Sequence, residues 1–452
     1  MSQRRKDKPG KALSWAIVGI AALGIAALCT QFKRAESSGK VRIRYTIWGD
    51  SPDTTKMFKD LVAEFERRHP RIDVEMLIVP WDAYHRKIFT MFAANSQLDV
   101  MRLSTAYFDQ LLDRGAILHL DKFIERDKEE VDLDDFFDGT LDACRKDGHY
   151  YGLPMQAYPW GFYYNKNLFK EAGLDPPDRT WTWRGKFLDA AKRLTRIGPD
   201  GSKRYGCIMS TSLSNVMRMA ISNGGNMFNE DNTRCVFNSA ETRETVQFVY
   251  DLIVTHKVAP MPGEQNGLLL FTTGRAAMLP ALRSLVPMFR AQLPFEWDVG
   301  PTPGWAGKPP RVMVSVGNPR VVSSRTRHPE EAWQFLKFLT GKEAARMLAR
   351  SGRYCMARRS AAESEEFLKT TPPEHNQYFL DEPNLPIQNK VYRVSFPRYA
   401  KLLRIFNDNF HLLLQGELGD GPQAVEEFCR VVERKVNDLI AAEAKRKQAV
   451  QQ

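Results

Sequence analysis

From Val41 to Gly115 the chain alternates short apolar segments with amphipathic ones, and this rhythm narrows its folds more than any other feature. Val41 to Trp48 (VRIRYTIW) alternates apolar and polar residues and reads as a strand that ends in the loop Gly49-Asp50-Ser51-Pro52. The next segment places Met57, Phe58, Leu61, Val62 and Phe65 on one helical face and is stopped by Pro70. Ile72 to Val79 reads as a second strand, ending at Pro80-Trp81, and Tyr84 to Ala94 as a helix. Asp99 to Leu103 is a short third strand. A helix with Phe108, Leu111 and Leu112 follows and stops at Gly115. Such alternation predicts a parallel sheet covered by helices. Ligands of open α/β sheets bind outside the carboxyl ends of the strands. Those ends are Trp48-Gly49-Asp50, Pro80-Trp81 and Ser104-Thr105, and two of the three carry Trp. The competing reading of each Trp is an ordinary core residue.

A second informative stretch runs from Gly148 to Trp183. Asp147-Gly148 is a tight-turn pair, and His149 to Pro154 reads as the second arm of a hairpin. Tyr158, Trp160, Phe162, Tyr163 and Tyr164 follow, broken only by Pro159 and Gly161. Aromatics this dense usually mean core, but Pro and Gly interruptions put several on a loop. A short helix from Asn167 to Ala172 is stopped by Gly173, and another is expected from Trp183 to Leu194. Trp181 and Trp183 sit at its entry, where packing is the expected role.

The phrases Tyr151-Gly152-Leu153-Pro154, Tyr163 to Phe169, Gly173-Leu174, Pro177 and Thr180-Trp181 come in a telling order. So do the strand ending in Trp48-Gly49, Gly115 to Leu120, Phe271 to Met278, Trp297 to Pro303 and Pro329 to Gly352. Together they resemble the extracellular solute-binding proteins of ABC importers, in the carbohydrate-binding, maltose-binding-protein-like branch (family 1). Leu98-Asp99-Val100 departs slightly, since that family usually has Pro before Asp-Val. The resemblance implies an α/β, two-lobed, periplasmic-binding-protein-like fold (type II) with a hinge and a central ligand cleft. Lobe 1 is expected at 41–162 and 315–353, and lobe 2 at 163–314 and 354–452. The crossings would fall near Pro159–Tyr164, Val314–Pro319 and Gly352–Met356, with Gly161 and Gly317 absorbing hinge rotations. The C-terminal helix is expected from Val425 to Ile440, with a frayed polar tail over 443–452.

A net charge of +11 suggests nucleic acid at first sight, but residues 1–45 carry +8 of it. The remainder is near neutral and lacks a nucleic-acid-binding motif, so no nucleic-acid partner is expected. The charge belongs to a basic n-region at 1–11, followed by a signal peptide or membrane anchor at 12–29 and a linker at 30–40. Ala12 to Leu28 is 17 residues with only Ser14 polar, at the lower limit for a bilayer span. Cleaved signal, lipid anchor on Cys29 and uncleaved helix all stay open, though Leu28 departs from the small residue that usually precedes a lipidated cysteine. Each outcome places the protein in the periplasm or otherwise outside the cytoplasm. The other cysteines, Cys144, Cys207, Cys235, Cys355 and Cys429, show no CxxC spacing, and are read as buried thiols or one or two disulfides.

No HExxH, GxSxG, Walker or GxGxxG motif occurs. The eight histidines are scattered, so no metal, cofactor or catalytic residue is expected. A sugar presents an apolar C–H face and a ring of hydroxyls, which aromatics and polar side chains match. The candidate ligand-binding residues are Trp48, Asp50, Trp81, Tyr84, Ser104, Tyr107, Tyr158, Trp160, Asn223, Arg283 and Trp305. The expected protein is a monomeric receptor that captures a carbohydrate ligand and delivers it to ABC transporter transmembrane subunits, held to the membrane by its N-terminal segment. A binding module for a membrane sensor and a glycan-active enzyme are the alternatives.

Overall fold

The computed structural model describes residues 39–49, 51–96, 98–199, 201–263, 266–310, 318–381, 383–384 and 396–451. Asp50, Gly317 and the whole of the N-terminal segment through residue 38 lie outside them. The predicted rhythm of the first third holds. β1 (Val41–Gly49), α1 (Pro52–Arg68), β2 (Ile72–Pro80), α2 (Trp81–Ala93), β3 (Val100–Arg102) and α3 (Thr105–Leu112) follow in turn. Ser51 caps α1 by accepting the Thr54 N–H at 3.2 Å, and Phe58, Leu61, Val62 and Phe65 are buried on its inner face. After α4 (Asp121–Arg126) comes the two-residue hairpin of β4 (Arg145–Lys146) and β5 (His149–Tyr150). The chain then runs through β6 (Gln156–Ala157) into β7 (Trp160–Asn165). β8 (Arg196–Ile197), β9 (Lys203–Cys207), α5 (Leu213–Asn223), β10 (Ala276–Leu282) and β11 (Trp297–Gly300) build the second half. β12 (Arg320–Val322), α6 (Pro329–Leu339), α7 (Lys342–Ala349), β13 (Cys355–Met356), α8 (Phe396–Leu414) and α9 (Gly421–Gln451) complete the order.

Two main sheets result, one ordered β12-β3-β1-β2 and the other β11-β7-β10-β9-β8. In the first, β1 is parallel to both β2 and β3, so their carboxyl ends share one edge. β12 runs antiparallel to β3 with Arg320 opposite Arg102. In the second, β9 and β10 are parallel, and β7 is antiparallel to β10 with Trp160 opposite Leu282. The start of β7 therefore lies at the carboxyl end of β10. Tyr158-Pro159 and Asn318-Pro319 lead into the two sheets. Cys355–Met356 pairs with Gln156–Ala157 in a two-stranded ladder beside them.

Four expectations change at this level. Trp160, Gly161 and Phe162 belong to the second sheet, a few residues before the limit expected at 162. Gly161 is paired with Ala281 inside β7, and a Cβ there would meet Phe379 Cε1 at 2.4 Å. Its smallness serves close packing, and a paired strand position is a poor hinge. The helix expected from Trp183 opens instead as a wide turn, Trp183–Phe187, because Gly185 adopts φ −102°, ψ −119°. The regular helix spans Leu188–Leu194. The tail expected to fray continues α9 to Gln451, since its Ala, Glu, Lys, Arg and Gln residues favour helix. All five described cysteines are free and buried, so the thiol reading holds and the disulfide one does not.

Candidate functional site

The carboxyl edge of the first sheet and the segments between the sheets surround a cavity of about 270 Å³. Trp48 and Arg102 come from the ends of β1 and β3, and Trp81 from the start of α2. Tyr158, Asn318, Arg353 and Tyr354 come from the segments between the sheets, and Ser284 from beyond β10. Trp48 is buried. Arg102 stacks over its ring at 3.7 Å, Tyr84 packs edge-on at 5.3 Å, and Trp81 at 4.9 Å. Trp81 itself is 48% exposed, a large apolar ring held up at a sheet edge without burial of its own.

Tyr158 is pinned by its hydroxyl. It accepts from Arg102 Nη2 and Asn318 Nδ2, both at 3.1 Å, and donates to Gln156 Oε1 at 3.0 Å. The network ties the first sheet to the connecting segments and fixes the ring near Tyr354, 6.2 Å away. Arg320, fully buried, donates to Tyr45 Oη at 3.1 Å and to the Asn318 carbonyl at 2.7 Å. Asn318 is thus held from both sides.

On the far side of Trp81 lies a groove of about 630 Å³ between α2 and α3, lined by Asp82, His85, Arg86, Phe89, Thr90, Tyr107 and Gln110. His85 and Tyr107 stack face to face at 3.7 Å, and His85 Nε2 accepts the Ser104 N–H at 3.2 Å. Burial, with Arg102 nearby, pushes His85 down to about 3, so the ring is neutral and an acceptor. In the second sheet, Trp160 borders a narrow slot of about 30 Å³ together with Trp183, Met209, Asn215, Arg218 and Pro280. Arg218 sits 4.9 Å over the Trp160 ring.

The structure thus brings Trp48, Trp81 and Tyr158 into one cavity, Tyr107 into the adjoining groove and Trp160 into the slot. Tyr84 lies behind Trp48, fully buried, with its hydroxyl on the Thr46 carbonyl at 2.8 Å. Ser104 supports His85 from the backbone. Arg283 is buried between Phe367 and Phe379 at 4.5 and 4.8 Å, and its guanidinium has no acceptor among the described residues. Burial lowers it to about 10. Its neighbour Ser284 reaches the cavity while Arg283 donates its backbone N–H to the Pro159 carbonyl at 3.0 Å. Asn223 and Trp305 are not brought there. Asn223 bonds Glu241 and Glu244, and Trp305 donates Nε1 to the Met219 carbonyl at 3.0 Å while packing on Phe248. Asp50 lies outside the described residues.

Arg102, Asn318, Arg353, Tyr354 and Ser284 were missed from the sequence. Arg102 alone left a signal, a charged residue inside the apolar run Val100-Met101-Arg102-Leu103 at a strand's carboxyl end. The others reach the cavity through long-range connections.

Two α/β sheets, joined by short segments and facing a cavity at their connection, define a two-lobed solute-binding receptor. The profile of the bacterial extracellular solute-binding proteins matches residues 49–346, and the chain belongs to that family. Its place is accordingly outside the cytoplasm. The structure resembles the ABC substrate-binding protein Lmo0181 of Listeria monocytogenes in complex with cycloalternan, with a TM-score of 0.75 and 26% identity over 89% of this chain and 99% of that one. It shares its fold with the sugar-binding protein MalE of Xanthomonas citri, with a TM-score of 0.75 and 22% identity over 91% and 100% of the two chains. The arabinooligosaccharide-binding protein of Bacillus subtilis (strain 168) is 23% identical over 328 residues, 70% of this chain and 72% of that protein.

Proposed function

We propose that this receptor captures a sugar or oligosaccharide in the cavity at the lobe connection and hands it to the membrane subunits of an ABC importer. The observation that carries the reading is Trp81. A half-exposed indole stands between a cavity of about 270 Å³ and a groove of about 630 Å³. That is the placement a stacking platform for successive sugar rings needs. Trp48, Tyr107, Tyr158 and Trp160 supply further aromatic faces. Arg102, Asn318, Arg353 and Ser284 supply groups suited to hydroxyls. The role is binding without turnover. That reading is supported by the family, whose members are solute-binding proteins, and by the sugar-binding fold neighbours.

The lobes are proposed as expected from the sequence, with the first limit moved to Pro159 by the sheet membership of Trp160. The protein acts as a monomer, tethered through its N-terminal segment. Among the described residues no helix is long and apolar enough to cross a membrane, so a tether would lie in Ala12–Cys29. Fractionation of cells carrying the parent or Cys29→Ala tests this; a wholly soluble parent would rule the tether out.

Calorimetric titration of the full chain with maltooligosaccharides, arabinooligosaccharides and cycloalternan tests the ligand class. One-to-one saturable binding of a saccharide is expected. Silence with all saccharides, together with tight binding of an amino acid or peptide, would overturn it.

A further inference from the structure

The fold also gathers three ligating side chains that the sequence scatters. His119 precedes α4, Asp121 is the first residue of α4, and His149 opens β5. None of the three lines the cavity or the groove. Asp121 Oδ2 lies 2.8 Å from His149 Nδ1 and 3.2 Å from His119 Nε2. The imidazole centres are 4.9 Å apart at 62°, and the three ligating atoms lie within 4.8 Å of one another.

The backbone holds this set in place. Asp121 Oδ1 accepts the Tyr150 N–H at 2.8 Å, which turns Oδ2 toward both rings. The Leu120 N–H donates to the Tyr150 carbonyl at 2.9 Å, so the start of α4 is laced to the hairpin. The hairpin turn is itself defined, with Asp147 at φ 52° and Gly148 at φ 86°, the left-handed pair of a two-residue turn. Ligands fixed by such supports are preorganised.

Two imidazole nitrogens and one carboxylate oxygen form a donor set for zinc and neighbouring divalent metals. Around a tetrahedral zinc, ligand atoms at about 2.0–2.1 Å from the metal stand roughly 3.3 Å from each other. The carboxylate-to-ring separations of 2.8 and 3.2 Å lie close to that, and the two ring nitrogens lie within 4.8 Å of each other. We propose that His119, Asp121 and His149 bind one divalent transition-metal ion of the zinc class, with water completing its shell. Both histidines are exposed, which leaves the remaining coordination positions open to solvent.

A second cluster, Asp298, Glu374 and His375, is equally close but differently committed. Asp298 Oδ1 accepts the backbone N–H groups of Val299, Glu374 and His375. The Lys166 ammonium sits 2.9 Å from Glu374 and opposes a cation. His375 therefore serves as an internal control.

An ion bound only by the folded chain stabilises it by mass action, and this one would clamp the hairpin to α4. The full chain, stripped with a chelator, is titrated calorimetrically with zinc chloride and melted with and without it. One ion per chain and a raised melting temperature are expected. His119→Ala and His149→Ala should each weaken binding at least tenfold and abolish the rise, while His375→Ala changes neither. Should either alanine variant melt lower without zinc, His149→Gln repeats the test on a less perturbed chain. No zinc binding by the parent, unchanged binding in the His149 variants, or loss on His375→Ala would overturn the assignment.

Discussion

His85 shows how much one side chain beside the site decides. Its ring is 3% exposed, stacked on Tyr107, tilted against Trp48, edge-on to Trp81, and accepts the Ser104 N–H. A proton on that acceptor nitrogen would face the backbone donor and the nearby Arg102 charge. The folded-state pKa, about 3, lies below the ordinary value of 6.5. Between those values the unfolded chain binds the extra proton. The His85 contribution is therefore complete above about pH 6.5 and declines as pH falls toward 3, at roughly 1.4 kcal/mol per pH unit. Melting of the unliganded protein should fall from pH 6.5 to pH 5, and His85→Gln should flatten that decline; parallel curves would show that another group is responsible. Trp81 and Trp305 make the complementary comparison. Trp81→Ala removes an exposed ring, so stability should hold while sugar affinity falls about thirtyfold or more, the equivalent of roughly 2 kcal/mol. Trp305→Ala empties a buried position and should cost about 3–5 kcal/mol of stability, with little direct effect on the site. Equal melting temperatures for the two variants would refute this division. The sequence could place both indoles but not separate them. Trp81 follows a strand and was readable as a rim residue, whereas the burial of Trp305 depends on Met219, Ser222 and Phe248.

Strand–helix packing sets the frame that holds the site, and two glycines show where it is tightest. A Cβ on Gly206 in β9 would lie 1.9 Å from the Ala191 carbonyl oxygen and 2.7 Å from the Ala191 Cα in the helix Leu188–Leu194. Backbone on both sides leaves no side chain to move. Gly161 in β7 would clash instead with the Phe379 ring, which can pivot. Overpacking costs about 1–3 kcal/mol. Gly206→Ala should reach or exceed the upper end and Gly161→Ala the lower, as read from urea midpoints; the reverse order would count against this account. Elements were legible where a pattern repeats over many residues, as in β1, α1, β2 and the buried stripe Val425, Phe428, Val432 and Val436 of α9. They were obscure where two residues suffice. The pairing of β6 with β13 has no periodicity to read, yet it lies beside Tyr158 and Tyr354 at the lobe connection. Gly185 was equally silent, because only the structure shows it leaving helical geometry. The three metal-ligating candidates were hidden for the same reason, since hairpin and helix start are brought together by the long-range Leu120–Tyr150 and Asp121–Tyr150 hydrogen bonds.

At the scale of the whole molecule, the proposed site lies where the chain passes between its sheets, an arrangement that would couple binding to the relative placement of the lobes. Tyr158 bonds Arg102 of the first sheet and Asn318 of a connecting segment, two residues before β7 begins the second sheet. Arg353 and Tyr354 belong to another such segment, and Ser284 follows β10. A ligand touching all of these bridges both halves. It favours whichever arrangement presents them together, by as much as its affinities for the two arrangements differ. We expect the motion to be a rotation about Tyr158–Pro159, Asn318–Pro319 and Gly352–Tyr354. Gly352, at φ 63°, is the described glycine in those segments with left-handed backbone. We therefore expect the protein to close on its ligand. Small-angle scattering of the full chain should give a smaller radius of gyration at saturating saccharide than without it. Trp81→Ala, at a concentration where it stays unliganded, should keep the larger radius. A radius that does not change at saturation, verified by calorimetry on the same sample, would mean that the cavity fills without moving the lobes.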